Sequence, residues 1–347
     1  MLAKRIDDLP QDGDWIFEPK WDGFRAIIFR DHDDVFIQSR DAKPLNRYFP
    51  ELIDPIKAAL PSRCVVDGEI VIVTQQGLDF DRLQLRLHPA ASRVKKLADE
   101  TPSSIVFFDL LAEDSHDLCG RPFEERRKRL VAMLTGVKPP IHLTPATSDR
   151  ALAADWFRRF EGAGLDGVMA KPAGGTYEPD KRVMYKVKHE RDCDCVVAGF
   201  RWYKKGDKSL IGSLLLGLYD NGTLEHVGVC SSFTAAKRAE LAEFLEPYRK
   251  NALNNHPWRA WASGPAEATA RVPGAQSRWS AGKDLSWEPL RPELVVEVAY
   301  DHMQGRRFRH IAQFRRWRFD KQPTDCTWDQ LEVVPPHELS QIFGLSR

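Results

Sequence analysis

No apolar run in this sequence is long enough to span a bilayer, and its start, MLAKRIDDLPQDGDW, lacks the apolar stretch of a secretory signal. Both absences predict a protein that avoids membranes and the secretory route. Cysteine is sparse, with six scattered among 347 residues. The nearest pair, Cys193 and Cys195, has one residue between them, where a zinc pair wants about two to four. Reduced thiols in a cytoplasmic protein are the expectation for all six. An excess of one charge is also missing: 51 Lys and Arg against 50 Asp and Glu leave a net +1. Bulk charge therefore gives no reason to expect a nucleic-acid partner, and no repeat or low-complexity tract is evident.

What the sequence does contain is 42% apolar residues over a length that favours two domains. Its charge is also unevenly placed. From His302 to Lys321 there are seven Arg or Lys and one acid, Asp320. Phe308, Ile311, Phe314, Trp317 and Phe319 interleave with those cations, so the run is expected to fold and to present its charge to a phosphate-rich ligand.

Strand-like alternation marks CVVDGEIVIV (64–73), SIVFFDLL (104–111), DGVMAK (166–171) and VMYKVKH (183–189). FEERRKRLVAMLT (123–135), with apolar Leu130, Met133 and Leu134, and ALAADWFRRFEGAG (151–164) read as helices. The first half is thus an α+β domain, expected over residues 1–190. Beyond it come short strands and glycine turns, with a hairpin signal at Asp220-Asn221-Gly222, a helix over 234–248 and a strand over 293–300. Residues 191–347 are expected to form a small oligonucleotide-binding (OB) β-barrel with a C-terminal tail.

Three clusters could carry chemistry. EPKWDGFR (18–25) sets Lys20 between acids and a tryptophan; an ordinary Asp-Gly turn at a strand end is the alternative. Lys186 and Lys188 share a strand face with Met184, either to hold an anion between them or to guard a sheet edge. Asp67 and Glu69 share a face with Val71 and Val73, as a solvated strand end or as groups facing a divalent ion or a ribose.

In their order and spacing these segments resemble the ATP-dependent DNA ligases among the covalent nucleotidyltransferases. Lys20-Trp-Asp-Gly-Phe-Arg25 resembles the family's KxDGxR motif, whose lysine becomes linked to AMP. Ser39-Arg40 before KPLNRYFPEL, Asp67-Gly-Glu69, Phe107-Phe108-Asp109-Leu110-Leu111, Asp166-Gly-Val-Met-Ala-Lys171, Lys186-Val-Lys188 and Arg316-Trp-Arg318-Phe-Asp320-Lys321 resemble the motifs that follow. The stretch over 78–97 is similar to that of the short bacterial members called ligase C. Larger members carry an extra N-terminal DNA-binding domain, for which the position of Lys20 leaves no room. The family's fourth motif usually opens with glutamate, where this chain has Asp166.

The resemblance implies ATP and Mg2+ or Mn2+ as cofactors, and nicked duplex DNA as substrate for a monomeric enzyme of DNA repair. Ku end-binding protein and a repair polymerase are the implied partners. It makes Lys20 the nucleophile and Lys186 and Lys188 its catalytic companions. Glu18 would contact the adenine amino group and Phe108 would stack on the ring, unless Phe108 is a core residue sharing a strand face with Val106 and Leu110. Arg25 and Glu69 would hold the ribose side, Arg40 a phosphate and Lys171 the nucleotide phosphates. Glu69 and Asp166 are the metal candidates. Arg316, Arg318 and Lys321 would orient pyrophosphate, after which the barrel would swing to present a DNA-binding face. A lysine amine is ordinarily protonated at neutral pH, so the nucleophile's neutral form is expected to be favoured by repulsion from the other two lysines. RNA ligases, capping enzymes and a catalytically silent nucleic-acid binder remain alternatives.

Overall fold

The computed structural model describes residues 1–74, 77–159, 164–204, 207–262, 286–301 and 303–331. The expected C-terminal tail, His302 and most of the Pro/Trp/Ser-rich stretch before residue 286 lie outside them. The chain forms two compact units, Met1–His189 and Glu190–Val333.

Nine strands build the two main sheets of the first unit: β1 (Leu2–Ile6), β2 (Trp15–Pro19), β3 (Phe24–Asp31), β4 (Asp34–Ser39), β5 (Arg63–Val71), β6 (Ser104–Glu113), β7 (Ile141–Leu143), β8 (Val168–Pro172) and β9 (Arg182–Val187). One sheet has the order β1-β9-β8-β2, the other β7-β6-β5-β3-β4 with the short strand His116–Asp117 beside β6. Alternation decides what each face of β5 does. Val66 and Ile70 join Ile28, Ile105, Phe107 and Leu110 in the main core. Asp67, Glu69 and Val71 point the other way, and Val71 packs with Trp21, Val106 and Leu165.

That alternation fails in β6. Asp67 stands opposite Asp109 while Gly68 stands opposite Phe107, so Phe108 is the extra residue of a β-bulge. Gly68 is required there, because a Cβ would lie 2.8 Å from the Val106 carbonyl and 2.9 Å from the Phe107 ring. The bulge changes how Phe108 relates to its neighbours: Phe107 and Leu110 fill the core, and Phe108 is left half-buried.

Helix α1 (Phe123–Met133) also departs from its sequence pattern. It buries Arg126 and Arg127 along with Phe123 and Leu130. Arg126 meets the buried Asp109 of β6 through two bonds of 2.8 and 2.9 Å. A charged side chain can occupy a core position when it is paired and hydrogen-bonded in this way. Helix α2 (Arg150–Arg159) packs on β2 and β8.

Strands β10 (Arg191–Lys204), β11 (Asp207–Asp220), β12 (Thr223–Ser231), β13 (Glu288–Tyr300) and β14 (Ala312–Trp317) close into a barrel in the order β10-β11-β12-β14-β13. The hairpin between β11 and β12 turns at Asn221 and Gly222, both with positive φ (46° and 79°), as a type I′ turn demands. Helix α3 (Ala235–Arg249) starts where the Thr234 hydroxyl accepts the Lys237 amide at 3.2 Å. Closure of five strands with one helix is an OB-like barrel.

Candidate active site

Three strand ends of the first unit bring the lysines together. The Lys20 amide, just past β2, donates to the Gly167 carbonyl (2.8 Å), and the Asp166 amide donates to the Lys20 carbonyl (2.9 Å). Val168 of β8 pairs with Val187 of β9, so Lys188 leaves the sheet beside the same segment. Beneath them Trp21 is buried, its indole N–H on the Thr144 hydroxyl at 2.8 Å. Gly23 lets β3 approach β5, since a Cβ there would sit 2.2 Å from the Ile70 carbonyl.

The result is a cleft of about 300 Å3, at the small end for small-molecule sites. Glu18, Lys20, Arg25, Arg40, Glu69, Phe108, Lys171 and Lys186 all line it. A second opening of about 600 Å3, beside Trp15, Glu124, Arg127 and Thr147, contains none of the three clustered lysines.

Inside the cleft the charges are arranged differently from the sequence expectation. Lys20 is not met by bare lysines: it forms an ion pair with Asp166, and Lys188 reaches the same carboxylate oxygen at 2.9 Å. Burial would raise the Asp166 carboxyl, but the two ammonium groups outweigh it and hold the group below the ordinary carboxylate range. The like-charge effect falls on Lys186, whose ammonium is disfavoured first by burial and then by Lys20 and Lys188.

Glu18 is buried, with Lys171 Nζ 2.7 Å from one carboxylate oxygen and Arg127 Nη1 3.3 Å from the other. The Lys171 ammonium also lies 4.5 Å from the ring centres of both Phe108 and Phe123. Lys171, expected at the phosphates, therefore stands with Glu18 and Phe108, the residues expected at the base. Arg25 makes a two-pronged pair with Asp67, at 2.6 and 3.1 Å, rather than with Glu69. Arg40 lies exposed at the cleft margin.

The family model for the ATP dependent DNA ligase domain matches residues 1–188, and that for the ATP dependent DNA ligase C terminal region matches residues 207–321. The chain is 55% identical over 347 residues to DNA ligase C of Mycobacterium tuberculosis, covering 99% of this chain and 96% of that one. It belongs to the ATP-dependent DNA ligases. A further relative, DNA ligase C2 of Mycolicibacterium smegmatis, is 54% identical over 342 residues, covering 98% and 95% of the two chains. The fold is shared with a solved Lig E DNA ligase at a TM-score of 0.55 and 16% identity, covering 92% of this chain and all of that one.

An ATP-dependent ligase has to bind a nucleotide, and the cleft offers an aromatic face (Phe108), a buried acid (Glu18) and several cations. A hard divalent cation would find oxygen donors in Glu69 and Asp166. Among the described residues no three His, Cys, Asp or Glu gather as a metal cluster. One or two carboxylates completed by substrate phosphates is an arrangement that magnesium accepts.

The cations of the last motif pair with acids of their own barrel. Arg316 is 2.8 Å from Glu297, Arg318 binds Asp194 (3.0 Å) and Asp320 (2.9 Å), and Lys321 reaches Asp194 at 2.8 Å. The sequence motifs do not single out Tyr177, Arg126 or Arg127 of this ligase, each of which is tied to a buried acid. For the two arginines the one available signal was helical spacing, which sets Arg126 and Arg127 inward with Phe123 and Leu130.

Glu69 gives a test of the site's electrostatics. Burial raises its carboxyl to about 7, against the opposing pull of Lys20 and Arg25. In the unfolded chain this group loses its proton near 4.5. Between those values folding takes up a proton, so its contribution favours the folded state at low pH and is lost as pH rises to about 7. Melting of ligand-free Glu69→Gln across pH 4.5–8 should show a shallower decline over that window than wild type; equal slopes would contradict the assignment.

Proposed function

We propose that this chain seals nicks with 3′-hydroxyl and 5′-phosphate ends through a lysyl-AMP intermediate at Lys20. The observation that carries the reading is the meeting of Lys20 and Lys188 on one carboxylate beside a cleft that Lys20, Lys186 and Phe108 line. Lys20 Nζ bonds to the α-phosphorus of ATP, the bond to the β-phosphate oxygen breaks, pyrophosphate leaves, and the amine sheds its proton. AMP then passes to the 5′-phosphate of the nick, and the 3′-hydroxyl displaces it.

Lys186 and Lys188 stabilise charge on the α-phosphate. Glu18 and Phe108 hold the adenine, with Lys171 at that end. Arg25 and Glu69 face the ribose, and Arg40 a phosphate. Glu69 and Asp166 would hold magnesium or manganese, which neutralises phosphate charge when bound. Arg316, Arg318 and Lys321 orient the pyrophosphate.

The occasion for sealing is repair in the bacterial cytoplasm, at short gaps or broken ends, alongside a polymerase or a Ku-type end-binding protein. One relative, 28% identical over 316 residues, is the Multifunctional non-homologous end joining protein LigD of Mycobacterium bovis, which supports that setting.

Sealing rates on nicks that differ only in sugar test the substrate. DNA nicks should be joined with ATP, a few ribonucleotides on the 3′-hydroxyl side tolerated, and an all-RNA duplex joined poorly. Affinity should fall steeply with salt, as phosphate contacts require. Faster joining of the all-RNA nick would make the enzyme an RNA ligase, and label accepted from GTP alone would make it a capping enzyme.

A further inference from the structure

Tyr177 lies in the segment between β8 and β9, outside every motif that marks the site. It is nevertheless tied to the cleft by its hydroxyl. That O–H donates to Asp67 Oδ2 at 3.0 Å and accepts from Arg25 Nη2 at 3.2 Å. Arg25 Nη2 donates to the same Asp67 oxygen at 2.6 Å, so arginine, aspartate and tyrosine close a three-membered ring of hydrogen bonds. Asp67 is fully buried, and Tyr177 is buried among Met1, Leu111 and Met184.

The tyrosine is itself held in place. Its amide donates to the Cys119 carbonyl at 2.8 Å, and the Arg126 guanidinium lies 5.9 Å from its ring centre. Arg126 is fixed by its two bonds to buried Asp109. Tyr177 does not line the cleft, whereas Arg25 does.

The geometry points to Tyr177 as a positioning residue that aims Arg25 at the ribose of ATP and so helps to set the preference for ribose over 2′-deoxyribose. This deepens the proposed nucleotide site and rests on that reading. Two bonds to Asp67 fix the plane of the guanidinium, Nη1 donates to the Met1 carbonyl at 2.5 Å, and the contact with the Tyr177 hydroxyl, from the side, sets the tilt of the group in the cleft. Without the hydroxyl, Asp67 Oδ2 loses a donor in a buried place, and Arg25 tilts about its bonds to Asp67 and the Met1 carbonyl.

The test is covalent AMP transfer from ATP and from 2′-deoxy-ATP by the full chain, with Tyr177→Phe, Arg25→Ala and the double variant. Phenylalanine keeps the ring and its packing. Tyr177→Phe should raise the half-saturating ATP concentration about three- to tenfold while the limiting rate stays within about twofold, as loss of uniform binding does. Its preference for ATP over 2′-deoxy-ATP should fall by a similar factor. Arg25→Ala should lower that preference at least as far, and the double variant should be no worse than Arg25→Ala alone.

If Arg25→Ala leaves the preference intact, the ribose reading fails and the proposal with it. If Arg25→Ala lowers it but Tyr177→Phe does not, or if the two losses add in full, only the positioning role of Tyr177 is overturned.

Discussion

Lys20→Ala is expected to lose covalent transfer of AMP from α-labelled ATP by about ten-thousandfold or more, as removal of a covalent nucleophile does elsewhere. Nick joining from ATP should fall with it. The same variant should still seal a nick whose 5′-phosphate already carries AMP, because attack by the 3′-hydroxyl needs no lysyl-AMP. Lys20→Arg should be equally inactive in the first step, since a guanidinium stays protonated and cannot attack phosphorus. Neither change should unfold the protein: Lys20 lies past the end of β2, and Asp166 keeps Lys188 as a partner. Labelling of either variant near the wild-type level would place the nucleophile at another residue.

Arg318→Ala is expected to separate the steps in a similar way from the other unit. If Arg318 orients pyrophosphate as it leaves, its loss should slow lysyl-AMP formation about a hundred- to a thousandfold, the scale for one donor to a charged transition state. Sealing of pre-adenylated DNA should change by no more than a few-fold. The barrel should tolerate the change, because Asp194 retains Lys321 at 2.8 Å and a bond from its own amide to Gln330 at 2.7 Å. Equal losses in both assays would assign Arg318 to DNA binding instead.

The α+β character of the first unit and the barrel of the second were readable in the sequence because alternation and turn chemistry are local. Asn221-Gly222 closes the β11–β12 hairpin where such a pair should, and β5 and β9 lie within about two residues of the expected runs. The eight candidate residues that line the cleft were readable only through motif order, since strands as far apart in sequence as β2 and β9 supply them.

What was missed has physical causes. The bulge at Phe108 breaks the period-2 rule on which the core alternative for that residue depended. Arg126 and Arg127 drew no reading from the sequence, because charge usually marks exposure, yet each finds a buried acid. Asp67 was seen as a partner of Glu69 on one face, whereas its strongest tie is to Arg25 across the β3–β5 pairing. The meeting of Lys20 with Asp166 spans 146 residues of sequence and depends on the backbone bonds between Lys20 and the 166–167 segment.

The central claim is that one lysine carries AMP. The most direct measurement is to incubate the protein with ATP and a divalent cation, digest it under conditions that preserve a phosphoramidate, and locate the AMP mass by tandem mass spectrometry. AMP is expected on the Nζ of Lys20 in the peptide containing EPKWDGFR and on no other residue. AMP on Lys186 or Lys188, or joining of nicks with no covalent AMP on the protein, would contradict it.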